Sequence, residues 1–179
     1  MFVSPAVANC VNFNATRTAH VDAVVDRNGE NDTLTLHLGG FKPGLQFDLF
    51  TVQRSNQNAN GSPVANFTNF GLAWYQSDVH IAFDGTDTLT VKTILLDQIF
   101  GFDPDQSLAP TNTFHVGFWF NDPNVPFSGG CEPGHTTPII TPFNGEHHAG
   151  PLAFITRPDA TTGLGPLCTN PNGSGGCNP

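Results

Sequence analysis

The chain has 179 residues, enough for one domain with a substantial core. Six Lys and Arg stand against 15 Asp and Glu, which gives a formal charge of -9. Nucleic acids and anionic membranes are bound through clustered Lys and Arg, so the composition excludes both as expected partners. The sequence has no apolar run near the roughly 20 residues of a membrane helix, and its 19 Gly and 15 Pro predict many turns and few long helices.

Residues 1–19 are predicted to form an extended arm, held by a disulfide or by pairing along a sheet edge. The cysteines are Cys10, Cys131, Cys168 and Cys177, and no two form a C-x-x-C pair. This spacing favours two disulfides made in an oxidising compartment. Of the three possible pairings we favour Cys10–Cys131, which fixes the arm, and Cys168–Cys177, which closes a Gly-rich tail at residues 169–179.

The first segment of the arm resembles the end of a signal peptide, since residues 2–8 finish in Ala-Val-Ala. A signal peptide also needs a long apolar stretch before that point, and the sequence has none there. We therefore expect the chain to be essentially the mature form of a secreted or extracellular protein, with the periplasm or a cell surface as alternatives.

Residues 20–38 are predicted to form a β-hairpin about Asn28-Gly29, because this dipeptide suits a tight type I′ turn. With those two residues as the loop, His20 lies directly opposite His37, and Asp22 shares their face. Opposed Cβ atoms lie about 4.5–5.5 Å apart. The pair is therefore a candidate copper or zinc site, and a solvated polar face is the alternative interpretation.

Residues 34–49, which read LTLHLGGFKPGLQFDL, resemble the strand–turn–strand corner of fibronectin type III and other immunoglobulin-like domains. In that corner a Gly-Leu-x-Pro-Gly turn precedes a strand that begins with an aromatic residue. Phe47 stands at the position of the usual corner tyrosine, so the tyrosine's hydroxyl hydrogen bond is missing. The resemblance implies a β-sandwich and carries no active site.

Further strands are predicted along the rest of the chain. Residues 71–93 suit a second hairpin around Asp84-Gly85-Thr86, with Val79 opposite Val91. Residues 55–69 and 121–142 suit long loops, and residues 94–102 suit a buried strand or a short irregular element. Residues 114–120 alternate, with four apolar side chains on one face and His115, Gly117 and Trp119 on the other.

About seven strands without any helical period predict an all-β protein. We expect a single-domain antiparallel β-sandwich, immunoglobulin-like or jelly-roll-like, with long loops. The sandwich is expected to span residues 20–168.

A second candidate metal or catalytic cluster consists of His135, His147 and His148, which lie in Gly-rich loops near Cys131. Their spacing matches no established metal signature, and ordinary turns explain it equally well. Residues 26–32 carry oxygen side chains at alternate positions, as calcium loops do. The Gly position departs from the EF-hand pattern, and the hairpin turn explains the same residues.

Three flat aromatic residues, Trp74, Tyr75 and Trp119, are a candidate sugar-binding platform if one face exposes them all. Packing in the core is the alternative. The sequence contains no Gly-x-Ser-x-Gly motif and singles out no pair of carboxylates. Catalytic residues are therefore not assigned, and whether the protein is an enzyme stays open.

Three functional hypotheses follow. The first is a secreted binding or structural module that acts through its loops or an exposed sheet face, with a glycan or another extracellular ligand. The second is a small His-ligated metalloprotein, a copper or zinc enzyme; calcium is the less favoured alternative metal. The third is a homo-oligomer built by the N-terminal arm, which adds as a strand to a neighbouring subunit.

Overall fold

A computed structural model gives the fold and describes residues 1–12, 14–26, 32–93, 113–141 and 149–168. The strands in these ranges are β1 (Phe2–Val3), β2 (His20–Asp26), β3 (Asp32–Gly39), β4 (Gln46–Val52), β5 (Ala73–His80), β6 (Asp87–Thr93), β7 (Thr113–Phe120), β8 (Leu152–Ile155) and β9 (Leu167–Cys168). The helical segments are a 3-10 turn at Pro5–Val7, α1 (Ala8–Val11) and α2 (Asn124–Ser128). None of these helices is both long enough and apolar enough to cross a membrane.

The strands form two antiparallel sheets. The larger sheet has the order β1-β8-β7-β4-β5, with β9 pairing beside β7, and the smaller sheet has the order β2-β3-β6. This arrangement confirms the predicted all-β sandwich. Residues 34–49, which resemble the immunoglobulin-like corner, run from β3 in the smaller sheet to β4 in the larger one.

Phenylalanine rings fill the main core between the sheets. Phe118 lies 4.9 Å from Phe47 and 5.1 Å from Phe154, measured between ring centroids, and Phe41 lies 5.2 Å from Phe154. Phe47, at the corner position, is fully buried. The alternation predicted for β7 is confirmed, because Phe118 belongs to this core whereas Trp119 belongs to a second cluster on the outer face.

The predicted register of the first hairpin is wrong by two residues, although β2 and β3 do pair. His20 lies opposite Gly39, and His37 lies opposite Asp22, so the two histidines do not face each other. Gly39 suits this register because a Cβ there would come within 2.7 Å of the His20 ring. The shift also sets Leu38 opposite Val21, and both are buried in the core. The turn at Asn28-Gly29 lies outside the described residues.

The second predicted hairpin is wrong. Val79 of β5 pairs with Phe47 in the larger sheet, whereas Val91 of β6 pairs with Leu34 in the smaller one. The loop at residues 81–86 therefore crosses from one sheet to the other. Its apolar neighbours still point at one core, but they approach it from opposite sheets. The predicted element at residues 94–102 lies outside the described residues.

The N-terminal arm packs on its own domain. β1 pairs with β8, and the Met1 amino group donates to the Val21 carbonyl at 2.7 Å. Cys10 is bonded to Cys131, as predicted. The arm is not simply extended, because α1 carries Cys10 into the main core. The Cys168 side chain and Cys177 are not among the parts that the structure describes.

The outer face of the larger sheet carries a second, smaller core. Phe50 and Val52 of β4 pack there with Trp119 of β7, and Leu152 and Ile155 of β8 join them. Both faces of β4 are consequently buried. The loops that follow β4 and β8, residues 53–72 and 156–165, run beside this outer face and shape the site described next.

Candidate functional site

The structure brings no metal site together from the predicted ligands that it describes. His20, Asp22 and His37 are exposed on the smaller sheet, and His135 is exposed in its loop. Within the described ranges, no group of three or more His, Cys, Asp or Glu side chains is placed to hold a metal ion. His147 and His148 fall outside those ranges.

The three predicted platform residues do not share one surface. Trp119 is 0% exposed. Trp74 lies opposite Thr51 and Tyr75 lies opposite Phe50, and neighbours in a strand point to opposite faces. Burial, with a hydrogen bond of 2.8 Å from the Tyr75 hydroxyl to Asp78, raises the pKa of Tyr75 to about 12.

A pocket of about 790 Å³ opens on the outer face of the larger sheet. Two loops form its walls, residues 53–64 after β4 and residues 158–165 after β8. Its base includes His115, which lies opposite Val52 in the β4–β7 ladder. The volume falls within the range of about 300–1,000 Å³ that small-molecule sites occupy.

His115 is buried, oriented and uncharged at neutral pH. Its side chain is 4% exposed, and burial lowers its pKa from the ordinary 6.5 to about 4. Nδ1 lies 3.1 Å from the Thr156 carbonyl oxygen, and the Thr156 hydroxyl oxygen accepts the Val116 N–H. We infer that Nδ1 carries the proton, so that Nε2 is an acceptor. Nε2 has no hydrogen-bond partner among the described residues.

Three amide side chains in the first loop are each fixed at one end. The Gln57 carbonyl accepts a hydrogen bond of 2.9 Å from the Arg157 Nε. The Asn58 amide nitrogen donates to the Ser62 hydroxyl at 3.0 Å, and the Asn60 carbonyl accepts from the Ser62 backbone N–H at 2.9 Å. The opposite end of each amide makes no hydrogen bond to another described residue. Such groups lose little rotational freedom on binding, so the pocket is preorganised.

Arg157 also fixes the loop at Gly61. A Cβ at position 61 would lie 2.5 Å from the Arg157 guanidinium, and Gly61 has a φ of +85°, which favours glycine. The two walls of the pocket therefore contact each other directly through Arg157. Arg157 thus holds the Gln57 side chain in place, whereas Ser62 holds those of Asn58 and Asn60.

His115 gives the first testable prediction. Because its pKa is lowered on folding, the unfolded chain binds more protons between about pH 4 and pH 6.5. The free energy of unfolding is therefore highest above this window. It decreases by up to roughly 3 kcal/mol as the pH falls through the window. His115→Gln removes the titrating group and should lose less stability over the same range. Guanidinium unfolding of both proteins at pH 4 and pH 7 measures the difference. Equal pH dependence would contradict the prediction.

The alternation of β7 predicts His115 on the polar face of the strand but does not mark it as a site residue. The available signal was a histidine on a central strand beside a loop rich in Asn, Gln and Ser. Comparison with known proteins adds no assignment, since no protein-family model, no curated protein and no solved structure matches the chain.

Proposed function

We propose that the protein is a secreted glycan-binding module whose site is the pocket between residues 53–64 and 158–165. The observation that carries this proposal is the uncharged, oriented imidazole of His115 at the base of the pocket. Its Nε2 accepts a sugar hydroxyl without the cost of burying an ionic group. The Cys10–Cys131 disulfide supports an oxidising, extracellular compartment.

The charge of the lining favours a neutral ligand. Among the described lining residues, Arg54 carries the one positive charge and Asp159 the one negative charge. His115 adds no charge at neutral pH. Hydrogen bonds from Thr162 and Thr161 lower the pKa of Asp159, so its carboxylate stays ionised. The lining therefore combines donors and acceptors with no net charge. Neutral sugars present the matching pattern, because each hydroxyl both donates and accepts.

Apolar side chains complete the lining. Val64 projects from the first wall, and Leu164 and Pro158 lie in the second. A sugar ring has C–H groups on its faces that pack against such surfaces. Its hydroxyls reach the side-chain amides of Gln57, Asn58 and Asn60. No described feature favours the copper or zinc hypothesis to the same degree. The N-terminal arm, packed on its own domain, gives no support to assembly through strand exchange.

A glycan array probed with labelled protein tests this function. The wild-type protein is expected to bind at least one group of neutral glycans, and His115→Gln should weaken that binding by roughly tenfold, the usual effect of losing one buried hydrogen bond. His80→Gln is the matched control, because His80 is an exposed histidine on the same sheet.

Trp74→Ala distinguishes binding in the pocket from binding on the predicted aromatic platform. Trp74 does not line the pocket, so binding should survive its removal. Loss of binding in Trp74→Ala with full binding in His115→Gln would contradict the pocket assignment. If the wild-type protein binds no glycan on the array, the proposed glycan-binding function is contradicted. Near-equal melting temperatures of the variants serve as the folding check.

A further inference from the structure

We infer that this site takes a chain of at least two sugar units, laid across Arg54. The inference rests on the proposed glycan-binding function and deepens it. It starts from a second pocket of about 180 Å³ beside the first. Arg54, Ser55 and Val64 line both pockets, so these residues form a shared wall.

The size of the second pocket indicates a subsite. Its 180 Å³ falls below the roughly 300–1,000 Å³ of pockets that hold a whole small-molecule ligand. A pocket this small, sharing a wall with one of 790 Å³, fits one unit of a ligand whose main part occupies the larger pocket. A ligand confined to the first pocket would leave the second unused.

Arg54 is held in place on the shared wall. Its Nε and Nη2 donate to the Asn69 carbonyl at 3.3 and 3.0 Å, and Nη2 also donates to the Thr68 hydroxyl. Nη1 has no hydrogen-bond partner among the described residues. The guanidinium is thus oriented through one side and presents the two N–H donors of Nη1 on the other. These donors suit the oxygen atoms of a glycosidic linkage or of the hydroxyls beside it.

The second pocket has an aromatic wall. Phe67 lines it and packs edge-on against Phe70, with 4.8 Å between ring centroids. Phe70 in turn lies 5.0 Å from Trp119 in the outer core. The ring of Phe67 is therefore anchored to the sheet, and the Arg54 guanidinium lies over it, 5.8 Å from the ring centroid. The part of the ring that lines the pocket provides an apolar surface for a second sugar unit. Both pockets therefore combine polar groups with apolar surface, as a chain of sugar units requires.

Filling each pocket separately tests the inference. Ala65 lines only the second pocket and Ala160 only the first, and both are exposed, so Ala65→Trp and Ala160→Trp are matched variants that should fold. The probes are glucose, galactose and N-acetylglucosamine, with maltose, cellobiose, lactose and N,N′-diacetylchitobiose, measured by calorimetry. Tetra-alanine serves as an extended peptide probe.

The wild-type protein should bind a disaccharide on the order of tenfold or more tightly than its component monosaccharide, because the second unit binds intramolecularly. Ala65→Trp should abolish that advantage and leave the monosaccharide affinity unchanged, whereas Ala160→Trp should weaken both. Equal wild-type affinities for monosaccharide and disaccharide, or an advantage that survives Ala65→Trp, would overturn the two-unit site and leave the glycan-binding function standing. Tetra-alanine binding above every sugar, or no binding of any sugar, would overturn both.

Discussion

Replacing both Cys10 and Cys131 with serine is expected to lower the free energy of unfolding by about 5 kcal/mol. The bond joins residues 121 positions apart, so it closes most of the chain into one loop and restricts the unfolded state strongly. It also fastens α1, whose Val11 is fully buried in the main core, to the loop that follows α2. Domains are stable by only about 5–15 kcal/mol, so this loss is enough to unfold a large fraction of the protein at 37 °C.

Guanidinium unfolding under non-reducing conditions measures this effect. Cys168→Ser with Cys177→Ser is the matched control, since the predicted pairing of these residues closes a far shorter loop and should contribute less, roughly 2–3 kcal/mol. An unfolding midpoint of the Cys10→Ser, Cys131→Ser variant equal to that of wild type would show that the arm is held by packing alone. The decrease in the free energy of unfolding therefore separates the contribution of the disulfide to stability from that of the packing of β1 and α1.

The sequence predicts the face of the sheet to which each side chain points, but it does not predict which residues pair between strands. A strand has a period of two, so the alternation along β7 decides that Phe118 and Trp119 point to opposite faces. The β2–β3 register is shifted by two residues, which changes every partner but leaves every face unchanged. The pattern that predicts His20 on the polar face consequently cannot tell whether Gly39 or His37 lies opposite it.

The connection from β5 to β6 was not predictable for a related reason. Two alternating strands joined by a short loop have the same pattern whether they pair in one sheet or belong to opposite sheets of a sandwich. Val79 and Val91 point into one core in either case. The partners that decide the outcome, Phe47 and Leu34, lie far away in the sequence. Local pattern therefore predicts the layers of the fold but not its topology.

The candidate site was the least predictable part, because its residues meet only after the chain has folded. Residues 53–64, His115 and residues 158–165 come from three separated stretches. The low pKa of His115 is a property of its burial beneath the two loops, which composition does not reveal. The aromatic residues that suggested a sugar platform proved to be divided, with Trp119 inside and Trp74 at a sheet edge. Glycan binding is proposed on a different set of side chains.

Phe118→Ala is the second substitution with a large expected effect, a loss of about 3–5 kcal/mol in the free energy of unfolding. Phe118 is fully buried, stacks on Phe154 at 5.1 Å, and contacts Phe47 at 4.9 Å. These neighbours belong to β8 and β4, on either side of β7, so the backbone of the sheet holds them apart. The cavity left by the missing ring cannot collapse easily, and cavity cost adds to the lost burial.

Phe83→Ala is the matched control, because Phe83 is 97% exposed and its removal should change stability by less than about 0.5 kcal/mol. The two variants also separate stability from function. Phe118 points into the main core, away from the outer face that carries the pocket, so folded Phe118→Ala protein should keep its glycan affinity within about twofold at 20 °C. Loss of affinity in a protein that remains folded would mean that the two faces of β7 are coupled, and that the pocket depends on the packing of the phenylalanine core beneath it.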